Sequence, residues 1–265
     1  MSNAPQQSYD APLRWVRGHL VNLRVQGHGE PLLLLNGLTR PLESWDPFIH
    51  ALGDRTIVSF DAPGVGQSPS PVLPLSIAQL AELAVSVLDD VGLDQVDVLG
   101  FSHGGAVAQQ FAFQYPSRVR RLVLVATSCG AGATLNGWST FDGLGAASTF
   151  DRSQATSAMW RTMAISAWSS IPFLGAIAAP TLVVCGINDR VAPIANSRSL
   201  CARIPGATLI VVPDGHDLQR PEPATELARV VDTFLGRAVA EPPTSTITPI
   251  RPIATTSANT QRSGR

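Results

Sequence analysis

The sequence contains no lysine, since all 19 basic residues of the 265-residue chain are arginines. Enzymes that form a Schiff base, bind pyridoxal phosphate or use a Walker-type phosphate loop depend on a lysine, so these classes are excluded. Charge of either sign is scarce as well, because charged residues make up 15% of the chain and the net charge is -1. Like charges are not clustered, so neither nucleic acid nor an anionic membrane is expected as a partner.

Cysteines are few and are not spaced as cross-links or metal ligands. The chain has 3 of them, Cys129, Cys185 and Cys201, with no C-x-x-C pair. We therefore expect neither disulfides nor a metal site. The first residues lack the basic and then apolar pattern of a signal peptide, and no apolar run approaches the ~18 residues of a membrane span. These absences predict a cytoplasmic protein.

Apolar residues, at 45%, are numerous enough for a sizeable core, and short apolar runs alternate with segments of helical periodicity. This alternation is typical of a parallel sheet with helices on both faces. Strands are predicted as two short segments between residues 13 and 26, and then at 32–35, 56–60, 95–99, 122–126, 181–185 and 207–212. Helices are predicted from Ser76, which is expected to form a capping box with Gln79, to just before Gly92, and at 104–114, 194–202 and 221–235. We expect a single α/β domain over residues 1–236.

Two segments depart from this alternation. Residues 129–179 contain no clean strand and are rich in glycine, alanine, serine and aromatic residues, which indicates a short lid inserted into the domain. Beyond Gly236 the composition changes to proline, threonine, serine and arginine, with almost no periodic apolar pattern. Such a segment buries too little apolar surface to fold, so residues 237–265 are predicted to be a disordered tail.

The most specific local pattern is Gly100-Phe-Ser102-His-Gly104-Gly105, which lies between a predicted buried strand and a predicted helix. In that context a G-x-S-x-G sequence forms a strained turn that exposes the serine as a nucleophile. Glycines are needed because side chains two residues before and after the serine would collide across so tight a turn. The motif therefore predicts that Ser102 is a catalytic nucleophile.

A serine hydroxyl needs an imidazole to take its proton, and the imidazole needs an acid to orient it. In folds with this turn the chain order is serine, acid, histidine, and His216 is the only histidine after residue 103. Asp189 directly follows the strand beyond the insertion and is the predicted acid, with Asp151 as the alternative. Asp214 and Asp217 flank the histidine too closely to orient it well. Three further histidines are expected to be structural or solvated: His19, His28 and His50.

The oxyanion formed when a serine attacks an ester needs two backbone N–H donors. The predicted donors are His103, which follows the nucleophile, and Leu38, in the loop after the early central strand. The His103 side chain is expected to line the acyl pocket rather than to act as a base. Gly64 and Gly66 lack the third glycine of a dinucleotide-binding loop, so their loop is expected to form a wall of the active site.

With these residues, the chain from Arg14 to Leu235 resembles the α/β-hydrolase superfamily, and within it the intracellular medium-chain-length polyhydroxyalkanoate depolymerases. The resemblance implies an α/β-hydrolase fold and hydrolysis of 3-hydroxyacyl ester bonds in a hydrophobic polyester. Such a hydrolase needs neither a metal nor an organic cofactor. The narrower resemblance depends on these segments: Asn36-Gly37, Asp61-x-Pro-Gly-x-Gly-x-Ser68, Ala108-Gln-Gln-Phe-Ala112, Tyr115-Pro116, Trp168-Ser-Ser-Ile-Pro-Phe-Leu174, Pro193-Ile-Ala-Asn-Ser-Arg198 and Arg203-Ile-Pro-Gly-Ala207.

The composition of the insertion also favours an apolar substrate. Residues 129–175 include three of the five tryptophans and both methionines other than the first residue, against four charged residues. Side chains of this kind suit an acyl chain, although burial of the insertion on the core would explain them equally. The residues expected to contact substrate are Asn36, Trp138, Met159, Trp160 and Met163.

Two departures from the depolymerases leave the substrate open. Those enzymes usually have tryptophan after the nucleophile, where this chain has His103, and their insertion is longer. The alternatives are a general carboxylesterase for apolar acyl esters, a carbon–carbon bond hydrolase or cofactor-free haloperoxidase with the same triad, and a ligand-binding receptor without turnover. The expected partner is a small molecule or a polyester, in the latter case with association with polyester granules.

Overall fold

The computed structural model describes residues 13–132 and 152–236. The predicted tail at 237–265 and residues 133–151 of the predicted insertion lie outside these ranges. Within the described ranges the strands are β1 (Arg14–Val16), β2 (His19–Val21), β3 (Leu23–Gln26), β4 (Pro31–Leu35), β5 (Thr56–Phe60), β6 (Val96–Phe101), β7 (Val119–Val125), β8 (Thr181–Gly186) and β9 (Thr208–Val212). The α-helices are α1 (Asp46–Ala51), α2 (Ile77–Asp90), α3 (His103–Gln114), α4 (Arg152–Ser166), α5 (Ile194–Arg203) and α6 (Pro221–Leu235).

Seven strands form one sheet in the order β3-β5-β4-β6-β7-β8-β9, and β1 and β2 form a separate antiparallel pair. Within the sheet β3 runs antiparallel to β5, and every other neighbouring pair is parallel. Strands β6 and β8 are buried along their whole length, as expected for parallel strands with helices on both faces. The predicted α/β class with a mostly parallel sheet is confirmed.

Helices cover both faces of the sheet. On one face, α2, α3 and α5 bury Leu80, Phe111 and Leu200 in a common apolar cluster. On the other face, α1 and α6 bury Phe48 and Leu227 in a second cluster. Burial of this kind contributes about 25 cal/mol per Å² of apolar surface. Because β5, β4, β6, β7, β8 and β9 run parallel, their carboxyl ends meet at one edge of the sheet.

Helix α2 begins as the sequence predicts. The hydroxyl of Ser76 accepts a hydrogen bond from the backbone N–H of Gln79 (3.2 Å), and Gln79 Oε1 accepts one from the backbone N–H of Ser76 (2.9 Å). This reciprocal capping box satisfies two N–H groups that have no partner within the helix. The helix ends at Asp90, two residues before Gly92, which has a φ of +72° that glycine adopts without strain.

Three elements differ from the predictions. The region predicted as two strands contains three, because β1 and β2 pair with each other while β3 joins the main sheet. Helix α1 has no counterpart in the prediction, since its 6 residues are too few to show helical periodicity. The insertion contains α4, a helix of 15 residues whose apolar residues form no continuous stripe.

Two observations limit the classes of site. No helix in the described ranges is long and apolar enough to cross a membrane. Likewise, the part of the chain that the structure describes contains no cluster of three His, Cys, Asp or Glu side chains arranged as metal ligands. All three cysteines are free thiols. The G-x-S-x-G turn follows β6 and lies at the carboxyl edge of the sheet.

Candidate active site

Ser102 forms the turn between β6 and α3. Its backbone angles are φ 52° and ψ -116°, a strained combination for a residue with a side chain. Its N–H donates a hydrogen bond to the carbonyl of Val125 at 2.9 Å. Because Val125 ends the neighbouring strand β7, the sheet itself holds the turn in this conformation.

The glycines around this turn are required by close backbone contacts. A Cβ atom on Gly100 would lie 2.4 Å from the carbonyl oxygen of Gly104, and one on Gly104 would lie 2.1 Å from that of Leu35. A Cβ atom on Gly105 would lie 2.5 Å from the side chain of Thr127. These distances are far inside van der Waals contact. The tight turn can therefore be made only where these positions lack a side chain.

His216 lies in the loop after β9 and contacts the serine. Its Nε2 atom is 3.1 Å from Ser102 Oγ, and its Nδ1 atom is 2.8 Å from Asp189 Oδ2. A carboxylate only accepts hydrogen bonds, so Nδ1 holds the proton and Nε2 accepts from the serine hydroxyl. The fold thus brings three predicted site residues, distant in sequence, into one hydrogen-bonded row.

The Asp189 carboxylate is held by the backbone that follows it. The residue is 5% exposed, and its Oδ1 atom accepts hydrogen bonds from the N–H groups of Val191 (2.8 Å) and Ala192 (2.7 Å). Both donors come from the turn that follows β8. Since Oδ1 is engaged in this way, Oδ2 is left to face His216.

The other candidate acids are paired elsewhere. Asp214 lies 3.7 Å from Arg220, and Asp217 lies 2.8 Å from Arg40. Asp151, the alternative acid, lies outside the described residues. The geometry therefore favours Asp189 among the acids that the structure describes. The histidines without a predicted catalytic role lie on other elements: His19 on β2, His28 in the loop before β4 and His50 on α1.

The two backbone amides predicted to bind an oxyanion are free to do so. His103 is the first residue of α3, so its N–H precedes the first hydrogen bond of the helix. The N–H of Leu38, in the loop after β4, donates to no described backbone carbonyl. Strands β4 and β6 are parallel neighbours. Both amides therefore come from segments that leave the same edge of the sheet.

A protein-family model for the alpha/beta hydrolase fold matches residues 30–152. The chain is also 37% identical over 222 residues to a poly(3-hydroxyalkanoate) depolymerase from Ectopseudomonas oleovorans, an alignment that covers 71% of this chain and 78% of that protein. This chain belongs to the α/β-hydrolase family.

Two further similarities span more of this α/β hydrolase. It is 29% identical to a 2-hydroxymuconate semialdehyde hydrolase from Pseudomonas putida, in an alignment that covers 90% of this chain and 99% of that protein. Among solved structures, a hydrolase from Pseudomonas aeruginosa PA01 superposes with a TM-score of 0.74 at 25% identity, over 87% of this chain and 100% of that one. The relatives share a fold and differ in the reaction that their names state, so the reaction must be argued from the site.

Asn36 holds the loop that contains the Leu38 amide. Its Nδ2 atom donates to the carbonyl of Pro41 and to Ser44 Oγ (2.8 Å each), and its Oδ1 atom accepts from the Gly37 N–H (2.8 Å). Oδ1 also accepts from Gln219 Nε2 at 2.9 Å. The glutamine is 2% exposed and belongs to the histidine loop, so this bond joins the two loops of the site. This bond could not be predicted, because a single loop glutamine has no distinctive sequence pattern.

A cleft of about 410 Å³, counted with its open mouth, lies beside the loops that carry the Leu38 and His103 amides, and Ser102 and His216 are not among its lining residues. His103 and Asn36 line it. Ala62 and Val65 also line it, so the Gly64 loop forms one wall of this cleft. Most of the remaining lining is apolar, from strands, helices and loops: Leu35, Leu38, Phe60, Leu80 and Val107.

The predicted substrate-binding residues of the insertion are not placed in this cleft. Met159 and Met163, one turn apart on α4, are 55% and 62% exposed, and Trp160 is half-buried without lining the cleft. Trp138 lies outside the described residues. Arg161 is the residue of α4 that lines the cleft. Residue type alone suggests the opposite arrangement, with methionines inside and arginine outside.

Four polar side chains interrupt the apolar lining: Asn36, Arg40, His103 and Arg161. His103 and Arg161 are the buried ones, with 8% and 5% exposure. Burial, together with the charge of Arg161, lowers the pKa of His103 to about 3, so its ring is neutral at physiological pH. Burial lowers the pKa of Arg161 to about 10, which still leaves the guanidinium charged at pH 7. The cleft therefore contains a buried positive charge beside a neutral imidazole.

Asp61 holds the Gly64 loop in place. The residue is 1% exposed and accepts hydrogen bonds from the backbone N–H groups of Leu42 (2.7 Å) and Gln67 (3.0 Å) and from Asn22 Nδ2 (2.8 Å). Gly66 passes so close that a Cβ atom there would lie 2.2 Å from the carboxylate. One buried side chain thus ties together three loops at the carboxyl edge of the sheet.

Replacing Asp61 with alanine is expected to lower the free energy of unfolding by about 3 kcal/mol, because three donors lose their acceptor. For a domain of this size the melting temperature should fall by about 6 to 12 °C, measured by circular dichroism. The control is Asp54→Ala, whose side chain is 85% exposed and whose removal should change stability by less than about 0.5 kcal/mol. Equal melting temperatures for the two variants would contradict the structural role of Asp61.

Proposed function

We propose that this α/β hydrolase is a serine ester hydrolase that forms an acyl-enzyme, with Ser102 as nucleophile, His216 as general base and then acid, and Asp189 orienting the histidine. The observation that carries the proposal is the row of hydrogen bonds from Ser102 Oγ through His216 to Asp189, at 3.1 and 2.8 Å. A hydroxyl that donates to a neutral imidazole can lose its proton as it attacks a carbonyl carbon.

The first half of the reaction transfers the acyl group to the enzyme. Ser102 Oγ attacks the ester carbonyl while His216 Nε2 takes the hydroxyl proton. The N–H groups of Leu38 and His103 donate to the oxygen that becomes negative in the tetrahedral intermediate. Asp189 stabilises the imidazolium through Nδ1. The imidazolium then protonates the departing alcohol oxygen, and the acyl-enzyme remains.

The second half releases the acid. A water molecule donates its proton to the same Nε2 atom as it attacks the acyl carbon, and the same two amides bind the second oxyanion. Collapse of this intermediate breaks the bond to Ser102 Oγ, which recovers the proton from His216. The products are a carboxylic acid and the regenerated hydroxyl. Every proton transfer in this scheme uses one atom, His216 Nε2.

The proposed substrates are medium-chain polyhydroxyalkanoate and its 3-hydroxyacyl ester oligomers. The 37% identity to a poly(3-hydroxyalkanoate) depolymerase supports this class, and so does the apolar lining of the cleft. A general carboxylesterase with the same cleft is the nearest alternative. A cytoplasmic location and association with polyester granules stay predictions.

The test combines covalent labelling with a substrate panel. The wild-type protein should be labelled at Ser102 by a serine-directed fluorophosphonate and should hydrolyse p-nitrophenyl esters and medium-chain polyester granules. Labelling without turnover of any ester would favour a ligand-binding receptor. Activity on soluble esters with none on granules or oligomers would favour a general carboxylesterase. Absence of both labelling and turnover would refute the serine hydrolase.

A second candidate is hydrolysis of a carbon–carbon bond. The similarity to a 2-hydroxymuconate semialdehyde hydrolase over 99% of that protein favours it, because the same serine and histidine could serve either reaction. Chromatographic analysis of the products from 2-hydroxymuconate semialdehyde and from a 3-hydroxyacyl dimer distinguishes the two. Cleavage of the first compound alone would replace the ester hydrolase with this candidate.

We expect kcat/KM to be about tenfold higher for an octanoyl than for a butanoyl p-nitrophenyl ester, because half-burial of four methylenes contributes about 1.5 kcal/mol. The measurement is kcat/KM across acetyl, butanoyl, octanoyl and palmitoyl esters below their aggregation limits. Val107→Phe, which narrows the cleft beside His103, should reduce this preference and spare the acetyl ester. A maximum at acetyl that falls steadily with chain length would contradict a medium-chain pocket.

A further inference from the structure

Arg161 is a buried cation whose described neighbours supply no opposite charge. Its two terminal nitrogens donate to the backbone carbonyls of Pro63 (3.1 Å) and Gly64 (3.3 Å). These neutral partners orient the guanidinium over the loop after β5. Its Nε atom has no hydrogen-bond partner among the described residues. The guanidinium is thus held firmly, and no carboxylate among the described residues compensates its charge.

The other buried arginines of the described chain contrast with Arg161. Arg55 and Arg121 are each 8% exposed, and both pair with the carboxylate of Asp97, at 3.2 and 3.6 Å. A buried charge lowers stability unless an opposite charge or a full set of hydrogen bonds compensates it. Asp97 supplies the opposite charge for Arg55 and Arg121, whereas no carboxylate of the described residues supplies one for Arg161.

A second unpaired polar group lies in the same cleft. The Nε2 atom of His103 is buried and has no hydrogen-bond partner among the described residues. The charge of Arg161 helps to keep this ring neutral, and the other cation that lines the cleft, Arg40, is paired with Asp217 at 2.8 Å. Apolar side chains surround the two groups, among them Leu80 and Val107. A ligand that matches this lining has an apolar chain and an anionic head.

We propose that Arg161 and His103 form a subsite for the carboxylate of an aliphatic acyl compound. A guanidinium binds a carboxylate more strongly than a neutral ester oxygen, because the hydrogen bonds are charge-assisted. The identification of this compound as a 3-hydroxyalkanoate rests on the proposed function above. In that case the subsite binds the free carboxylate end of a short 3-hydroxyacyl oligomer, or the monomer that hydrolysis releases.

The test compares two ligands of similar shape, one charged and one neutral. Calorimetric titration of the wild-type protein with 3-hydroxyoctanoate and with 3-hydroxyoctanamide, which has no ester bond to cleave, should give at least about tenfold tighter binding of the acid. In Arg161→Gln this preference should fall below about twofold. Arg229→Gln is the matched control, because Arg229 is 66% exposed and pairs with Glu226 on α6. The control should keep the full wild-type preference.

Equal affinity of the wild-type protein for the two ligands, or no binding of either, would overturn the subsite. An unchanged preference for the acid in Arg161→Gln would overturn it too, whether or not the melting temperature of that variant is lower. If Arg161→Gln does not fold, Arg161→Lys serves instead. It keeps the charge but loses the planar fork of donors, so the preference should fall by about threefold.

Failure of the subsite and failure of the proposed function are separate outcomes. Hydrolysis of p-nitrophenyl octanoate by the wild-type protein reports on the serine hydrolase and involves no free carboxylate. Activity on that ester without a preference for the acid would refute the subsite alone. A preference for the acid without turnover of any ester would refute the hydrolase and leave the subsite supported.

Discussion

Ser102→Ala is expected to lower kcat for p-nitrophenyl octanoate by about 10⁴- to 10⁶-fold, the scale seen when a triad nucleophile is removed. Alanine keeps the Cβ atom and the backbone of the turn, so the hydrogen bond from residue 102 to Val125 should persist. What disappears is Oγ, the atom 3.1 Å from His216 Nε2. Residual activity would come from the amides of Leu38 and His103 and from substrate binding.

The matched control is Ser86→Ala. Ser86 is a half-buried serine on α2 whose hydroxyl donates to the carbonyl of Glu82 at 3.0 Å, and its removal should change kcat by less than about twofold. Circular dichroism spectra of both variants should overlay that of the wild type. If Ser102→Ala kept about a tenth of wild-type activity, another group would have to be the nucleophile.

Asp189→Asn is expected to lower kcat by about 10⁴-fold with the fold intact. The N–H groups of Val191 and Ala192 both donate to Oδ1, so the amide oxygen of asparagine should take that place. Its NH₂ group would then face His216 Nδ1 and donate to it. The imidazole proton would move to Nε2, which could no longer accept the proton of Ser102.

Two comparisons test the choice of acid. Asp214 lies two residues from the histidine, and its carboxylate faces Arg220 at 3.7 Å. The kcat of Asp214→Asn should therefore stay within about tenfold of the wild-type value. Asp151→Asn tests the alternative acid from the insertion. A larger loss of kcat in Asp151→Asn than in Asp189→Asn would show that Asp151, and not Asp189, orients His216.

Most of the fold could be predicted because its signals are local. Continuous apolar runs such as residues 182–185 indicate buried parallel strands, and the Ser76 to Gln79 spacing indicates a helix start. The helices that the sequence does not predict are either short or lack a periodic apolar pattern. Asp46–Ala51 has 6 residues, and the side of α4 that faces the cleft includes Arg161, so no apolar stripe marks it.

Motif spacing and chain order leave few alternatives, so they predict the class of fold, the strained serine turn, and His216 and Asp189 as partners of Ser102. Only the folded chain shows that Asp189 rather than Asp214 or Asp217 faces His216, that Gln219 bonds to Asn36, and that Arg161 rather than Met159 lines the cleft. These contacts join segments far apart in the chain, such as Arg161 and Gly64, 97 residues distant. Periodicity and composition report how each segment is buried, whereas the pairing of distant segments depends on how helices and loops pack at the sheet edge.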